Sequence, residues 1–488
     1  MEIFDERKYY ETLKFVLFKA GNEIYPEAEI IMENSLNNGV YGKIKNIGHI
    51  DEKVIEKIKN RMDKIIIQDI PINMVCSDIE MLKRRSPIIK RKDIRKLLDN
   101  TGLISMKEYE MAGYYDYFHE ELYPRTGMIY LYEIYAYEDG FILKMPTASE
   151  PDKLPPYINN PKLAKVFKES ATWGGIMGIS YVGALNEKIL DGKIEELIRI
   201  NEILHHRKLS KVADEIIKNR EIKLITVAGP SSSGKTTFSK KLRLHLLAAE
   251  IHPIVISLDN YYIGRENIPL DEYGKKDYET IDGLDIELLN KNLQGLIGGE
   301  EVEIPEYNFI TGVREEKGTK MRLPKNGVIV IEGIHGLNEK LTHSIPKGNK
   351  FKIYISCLTQ LNIDAHNRIY TSDVRKIRRI VRDSLSRGAS AEVTLSMWKA
   401  VRKGEEKYIF PYQEDADIIY DSSLFYELSI LKTFAEKELI KVKVNSEYYN
   451  ESKRLLKFLE YFLPVETKMV PDDSILKEFI GGSYFYKY

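Results

Sequence analysis

The sequence predicts an α/β protein in which a parallel sheet with flanking helices follows a separate α+β part. Three observations predict it. Beyond about residue 215, short unbroken apolar runs alternate with longer amphipathic stretches, the pattern of strands covered on both faces by crossover helices. Ahead of that point the chain is rich in Tyr and charge and carries hairpin-type turns. Between the run at 223–228 and the helical stretch after it lies a turn built of Gly and Ser.

Composition narrows the field. The 488 residues are enough for about three compact units at roughly 100–200 residues each. A 43% hydrophobic content excludes a disordered chain, and 73 basic against 74 acidic side chains exclude a whole-chain footprint for nucleic acid. Cys76 and Cys357 are the only cysteines, too few for a disulfide framework or a cysteine zinc site. The first apolar run, Phe15 to Phe18, is too short for a signal peptide, and no later run nears the ~20 residues of a membrane span. The expectation is a cytoplasmic chain without a membrane segment.

Taken in order, Asn37-Asn38-Gly39 reads as a turn. Tyr130 to Tyr137 and Phe141 to Met145 read as a hairpin around Glu138-Asp139-Gly140. From 191 to 217, Ile194, Leu197, Ile198, Ile200 and Ile203-Leu204 suggest helix with one apolar side. Strands are expected at 223–228, 254–258, 328–331, 351–356 and 417–420. A helix is expected at 236–247, and more helix follows about Leu428, ahead of a Tyr-rich tail.

The strongest signal is Gly229-Pro-Ser-Ser-Ser-Gly234-Lys235-Thr236, which follows a strand and opens a helix. Such a loop curls backbone N–H groups of Gly229, Ser231, Ser232, Ser233, Gly234 and Thr237 around phosphate oxygens. Lys235 then reaches the β/γ-phosphates and Thr236 supplies a hydroxyl for Mg²⁺. This is a P-loop, and ATP with Mg²⁺ is the expected pair of ligands. The next strand ends in Leu258-Asp259-Asn260-Tyr261-Tyr262, and a later one in Ile331-Glu332-Gly333. Acids at that sheet edge suit proton acceptance and metal binding beside a γ-phosphate. From Asp373 to Asp383, Arg375, Arg378, Arg379 and Arg382 share one helix face, and Val374, Ile377 and Val381 share another. An arginine-lined lid over a transferring phosphoryl group is the reading that fits a P-loop best.

These residues resemble a known family. GPSSSGKTT, LDNYY, IPEYNF at 304–309, VIVIEGI and RKIRRIVRDSLSRG are similar, in order and spacing, to uridine–cytidine kinases and more loosely to phosphoribulokinases. The resemblance implies that Asp259 is the base toward a substrate hydroxyl, with Thr236, Asp259 and Glu332 arranging Mg²⁺. It implies Arg378 and Arg382 as lid cations beside the catalytic Lys235, and Tyr262, Tyr307 and Arg375 toward the acceptor. Glu279-Thr280 stands where uridine kinases carry an Asp-His pair, Asn308 replaces the family's Asp, and Gly312 replaces its base-contacting His. Glu279 retains the ability to accept from two vicinal hydroxyls. Arg265, Lys275, Lys276 and Arg314 leave room for a phosphorylated acceptor.

Residues 7 to about 180 resemble the editing-type second additional domain of threonyl- and alanyl-tRNA synthetases. The resemblance is carried by Ile24-Tyr25-Pro26 onward, GYYDYFHEELYPRTG at 113–127 and NNPKLAKVF at 159–167. The metal-binding positions of that domain correspond to Glu11, Phe15, Phe118 and Leu122. Phenylalanine and leucine cannot ligate zinc, so no metal-dependent hydrolysis is expected there. His119, His205 and His206 read as surface or packing residues. The basic runs Lys83-Arg84-Arg85 and Lys90-Arg91-Lys92 read as a solvated helix face, with RNA phosphates as the rival partner.

The expected domains are 1–190 (synthetase-like), 191–221 (helical connection), 222–430 (P-loop kinase) and 431–488 (helical extension on the kinase). The expected function is phosphoryl transfer from ATP to a nucleoside hydroxyl. A sugar or sugar phosphate is the alternative acceptor, and a nucleotide-switched RNA-binding or regulatory protein is the alternative class. A small-molecule acceptor is the expected partner. Self-association and nucleic-acid contact through the N-terminal part stay open.

Overall fold

A computed structural model describes residues 4–271, 274–308, 311–359 and 361–486, without the side chains of 76, 77 and 85. Phe309 of the IPEYNF stretch and Tyr488 of the tail lie outside the described residues. The chain divides into two compact units. One comprises Met1–Ile194 with Thr359–Tyr370 and Leu456–Leu463, and the other Glu195–Leu358, Thr371–Leu455 and Pro464–Tyr488.

The first unit is built on the helix Glu6–Ile24, capped by the Asp5 side chain, whose Tyr9, Leu13, Phe15, Val16, Leu17 and Phe18 are buried. A four-stranded antiparallel sheet runs in the order Glu29–Leu36, Gly39–Lys45, Gly140–Lys144, Glu133–Tyr137. Asn37 and Asn38, at φ 53° and 57°, close its first hairpin with the left-handed pair that matches strand twist. The second hairpin pairs Tyr137 with Gly140 across Glu138-Asp139. Its first strand starts at Glu133 rather than Tyr130, because the N–H groups of Tyr130 and Leu131 donate to the Tyr9 hydroxyl (3.0 and 2.8 Å) instead of to a strand. A three-stranded sheet, Asn73–Asp78, Ser105–Met111 and Tyr114–Tyr117, completes the strands. Phe15 and Phe118 meet edge to face at 5.1 Å in the core that Leu122 shares, and Glu11 pairs with Lys14 at 2.9 Å.

In the second unit five parallel strands run in the order Ile418–Asp421, Lys350–Ser356, Leu224–Ala228, Gly327–Glu332, His252–Ser257. All five expected strands are present, shifted by two residues or fewer at each end. The central strand Leu224–Ala228 and its neighbour Gly327–Glu332 are buried at every position, which is why they read as unbroken apolar runs. Glu332 lies level with Val227 on one side and Ser257 on the other, so the phosphate loop and both acids leave the same edge.

The helix Ile194–Lys218 differs from expectation in its face. Ile200 and Ile203 are exposed, while Asn201, Glu202 and His205 are buried. Hydrogen bonds explain the exchange. Glu202 accepts from Tyr426 and Ser474 at 2.6 Å each, Asn201 accepts from the Phe425 N–H, and His205 meets the Ser423 carbonyl at 2.9 Å. Buried polar groups satisfied in this way displace apolar ones from the packed side. Among the described residues, no helix is long and apolar enough to cross a membrane.

Candidate active site

The loop 229–236 is shaped by two glycines. A Cβ on Gly229 would lie 1.9 Å from the Ile355 carbonyl oxygen, and Gly234 holds φ +86° at the cap of the helix Lys235–Ala248. Lys235 folds back onto the carbonyls of Gly229 and Pro230, at 2.9 and 3.2 Å. The buried hydroxyls of Ser232 and Ser233 have no partner among the described residues, as expected of a loop shaped for phosphate oxygens.

Around the loop the acids converge. The Thr236 hydroxyl donates to Glu332 at 3.4 Å. Burial, and then the Asp259 charge, push the Glu332 carboxyl up to about 7, with Lys235 pulling the other way. Asp259 faces solvent from within a cleft walled by protein. That partial desolvation raises its carboxyl, and Lys235, Arg387 and Arg382 oppose the rise. Burial lowers the Lys235 ammonium against the pull of Glu332, Asp259 and Glu478. A hydroxyl and two carboxylates at one sheet edge are hard oxygen donors, and a divalent cation would relieve their crowded negative charge. The set fits Mg²⁺.

The arginine helix, Thr371–Arg387, is where expectation and structure part. Val374, Ile377 and Val381 are buried as the pattern requires, but Arg375 and Arg378 are buried too. Arg375 pairs with Glu405 and donates to the Ser231 carbonyl at 3.0 Å. Arg378 pairs with Glu427 at 2.5 Å and donates to the carbonyls of Ser422 (2.9 Å) and Ser232 (3.3 Å). Two expected lid or acceptor cations are therefore props beneath the phosphate loop. Their carboxylate partners lie 30 and 49 residues away, beyond the reach of helical spacing. The cations left near the cleft are Arg379, which donates to the Ser231 hydroxyl at 3.0 Å, Arg382, and Arg387, which is more than half exposed.

On the acceptor side, Tyr262 and Tyr307 rings lie 5.8 Å apart. Burial, and then Glu405, push the Glu279 carboxyl up to about 7, while Arg379 and Lys235 draw it down. Arg314 spends its guanidinium on the carbonyls of Tyr261 (2.8 Å) and Tyr262 (3.0 Å) and on Asp285 (3.0 Å), so it holds the tyrosine turn rather than facing the cleft. Gly312 sits at φ +76° with Arg265 packed where a Cβ would be, which accounts for the absence of a side chain there.

Sequence reading missed Glu405 and Glu478. The Thr237 N–H and hydroxyl both donate to Glu478, at 3.2 and 2.6 Å, and Tyr486 lies 3.2 Å from the same hydroxyl. Lys240 stands 3.9 Å over the Tyr486 ring. At 241 residues from Thr237, Glu478 carries no motif that could have announced it. Glu405 accepts from the Ser231 N–H at 3.2 Å and likewise lies in no recognisable pattern.

The model of the Phosphoribulokinase / Uridine kinase family matches residues 224–424. The uridine kinase of Macrococcus caseolyticus is 32% identical over 197 residues, which cover 40% of this chain and 86% of that protein. The chain belongs to the phosphoribulokinase / uridine kinase family. Uridine kinases of Staphylococcus aureus (31% over 198 residues, 40% of this chain and 86% of theirs) and Halobacterium salinarum (29% over 197, 40% and 78%) are similar over the same share of the chain. As a member of this family the protein is a phosphotransferase acting on a hydroxyl of a small molecule. The family match ends before Glu478 and Tyr486, so the contacts they make on the phosphate-loop helix lie outside it.

Proposed function

We propose that the protein is an ATP- and Mg²⁺-dependent nucleoside kinase. The observation that carries this reading is the meeting of Lys235, Asp259, Glu332, Arg382 and Arg387 around one cleft at the sheet edge. Asp259 takes the proton of the acceptor hydroxyl as it attacks the γ-phosphoryl. Lys235, Arg382 and Arg387 face the charge spread over the equatorial oxygens. Mg²⁺, held by Thr236, Asp259 and Glu332, supplies further neutralisation of phosphate charge when bound. Tyr262 and Tyr307 offer flat faces to a base, and Glu279 accepts from the ribose hydroxyls. Arg375 and Arg378 position the loop rather than touch the reacting atoms.

A second reading, a sugar-phosphate acceptor, is favoured by one observation. Arg265 occupies the space beside Gly312, where a cation could meet a phosphate. An ADP-release assay over nucleosides, ribose and pentose phosphates separates the two, with Lys235→Ala as the blank. Turnover with a nucleoside supports the first reading, and turnover with pentose phosphates alone replaces it. The N-terminal part we read as a synthetase-type additional domain without hydrolytic metal chemistry, a reading supported by the packing of Phe15 against Phe118 in a hydrophobic core.

A further inference from the structure

The first unit contains a cleft of about 710 Å³ that has no part in phosphoryl transfer. Phe18, Ile30, Arg91, Asp93, Tyr114, Tyr181, Ala184 and His366 form its inner walls, with Asn22, Glu29, Lys92 and Ser180 at the mouth. None of the positions marked by the synthetase resemblance, Glu11, Phe15, Phe118 and Leu122, lines it.

Its floor is an ion network in which three carboxylates surround one guanidinium. Arg91 donates to Asp93 (2.7 Å), Asp116 (3.1 Å) and Asp364 (2.9 Å). Asp93 also accepts from the Ala365 N–H at 2.8 Å, and Asp364 from Tyr117 and from the His366 N–H. Burial alone would raise the Asp116 carboxyl, but His366 and Arg91 beside it bring it down. The Arg91 that sequence placed on a solvated basic face is thus committed to three carboxylates. Among the described residues no cation on this floor is left over for a carboxylate or phosphate group.

On the inner walls the groups that remain free are neutral, whereas Glu29 and Lys92 bring charge to the mouth and Lys96 pairs with Glu187 at 2.5 Å. His366 is buried, is held at Nδ1 between Asp116 and the Arg91 guanidinium and stacks on Phe18 at 3.8 Å, and its Nε2 has no hydrogen-bond partner among the described residues. The same holds for the Asn22 amide and for the Ser180, Tyr114 and Tyr181 hydroxyls. A buried imidazole whose orientation is fixed by a carboxylate and whose second nitrogen is unused is a prepared hydrogen-bonding group. Flat aromatic faces, neutral donors and acceptors, and this volume together match a planar heterocycle with hydrogen-bonding edges. Glu29 at the mouth, without a partner among the described residues, suits the vicinal hydroxyls of a sugar.

We infer that this cleft is a nucleoside-binding site, with the base between the aromatic faces, His366 Nε2 on its edge and the ribose toward Glu29. The site is separate from the acceptor cleft and stands whether or not the transferred phosphoryl goes to a nucleoside.

Hydrogen–deuterium exchange on the full-length protein tests it, because the readout is local. The probes are millimolar uridine, cytidine, adenosine and guanosine, with UMP and free serine as contrasts. At ten times its Kd, a nucleoside slows exchange about tenfold where binding closes the opening motion. The expected result is such slowing with at least one nucleoside in peptides spanning 14–32, 88–98, 176–186 and 361–368. Ser180→Trp, which fills the mouth, and Asn22→Leu should each abolish it. Both positions are exposed, so the fold is not at stake in either. The proposal is overturned if no nucleoside protects these peptides, if protection survives both variants, or if UMP or serine protects more strongly than every nucleoside.

Discussion

Asp259 and Glu279 hold the same functional group in different surroundings, and each makes a distinct prediction. Asp259 opens to solvent beside Lys235, Arg382 and Arg387. Asp259→Asn keeps its size and removes the base, so kcat should fall about 10²–10⁴-fold. ATP binding, followed by titration calorimetry, should change by less than threefold. Glu279 is held at about 7 by burial and Glu405. Its folded pKa lies above the unfolded value of 4.5, so between these pH values the folded state binds the extra proton. The stabilisation is complete below about 4.5 and is lost as pH rises through 7. Melting temperature should fall across that window, and Glu279→Gln should fall less steeply. An equal slope in both proteins would remove the raised pKa from the account.

At the scale of elements, the helix Thr371–Arg387 acts on the phosphate loop through its buried arginines. Arg378→Met would leave Glu427 buried without its partner, a loss of about 3–5 kcal/mol. Arg378→Met with Glu427→Leu should recover most of it in urea unfolding. If the single variant is as stable as the parent, the prop is not one. The short helix Lys477–Ile480 brings Glu478 to the Thr237 N–H, one of the donors that the first turn of the loop helix offers to phosphate. Glu478→Gln keeps an acceptor there and removes the charge that repels an incoming phosphate. The Kd for ATP should therefore drop severalfold, and a rise would show that Glu478 assists binding instead. Strands and loop were legible in the sequence because burial on both faces demands apolar runs and a phosphate loop demands glycine at fixed places. The roles of Arg375, Arg378 and Arg314 were not. An arginine on a helix face or in a hairpin looks the same in sequence whether it meets solvent or a carboxylate folded against it from elsewhere.

For the molecule as a whole, the segments Thr359–Tyr370 and Leu456–Leu463 belong to the first unit although the chain around them builds the second. Asp364 is fully buried there against Arg91 and Tyr117, and Tyr461 meets His119 at 2.7 Å and accepts from Asn186 at 2.8 Å through its carbonyl. These partnerships span about 250–350 residues of chain and leave no periodic trace, so sequence showed neither segment's allegiance. A fragment starting at residue 195 would strand Asp364 and His366 without partners. It should melt below the full chain and bind hydrophobic dyes; equal melting temperatures would show that these two segments do not need the N-terminal part.

The proposed reaction is a phosphoryl transfer run by Lys235 and Asp259 on a nucleoside hydroxyl. The measurement that tests it most directly is ADP release from ATP and Mg²⁺ with uridine, cytidine and other nucleosides, compared across the parent, Lys235→Ala and Asp259→Asn. The parent should release ADP in a nucleoside-dependent way, both variants should lose nearly all of that release, and Asp259→Asn should still bind ATP. Release that no nucleoside stimulates, or that survives Asp259→Asn undiminished, would contradict it.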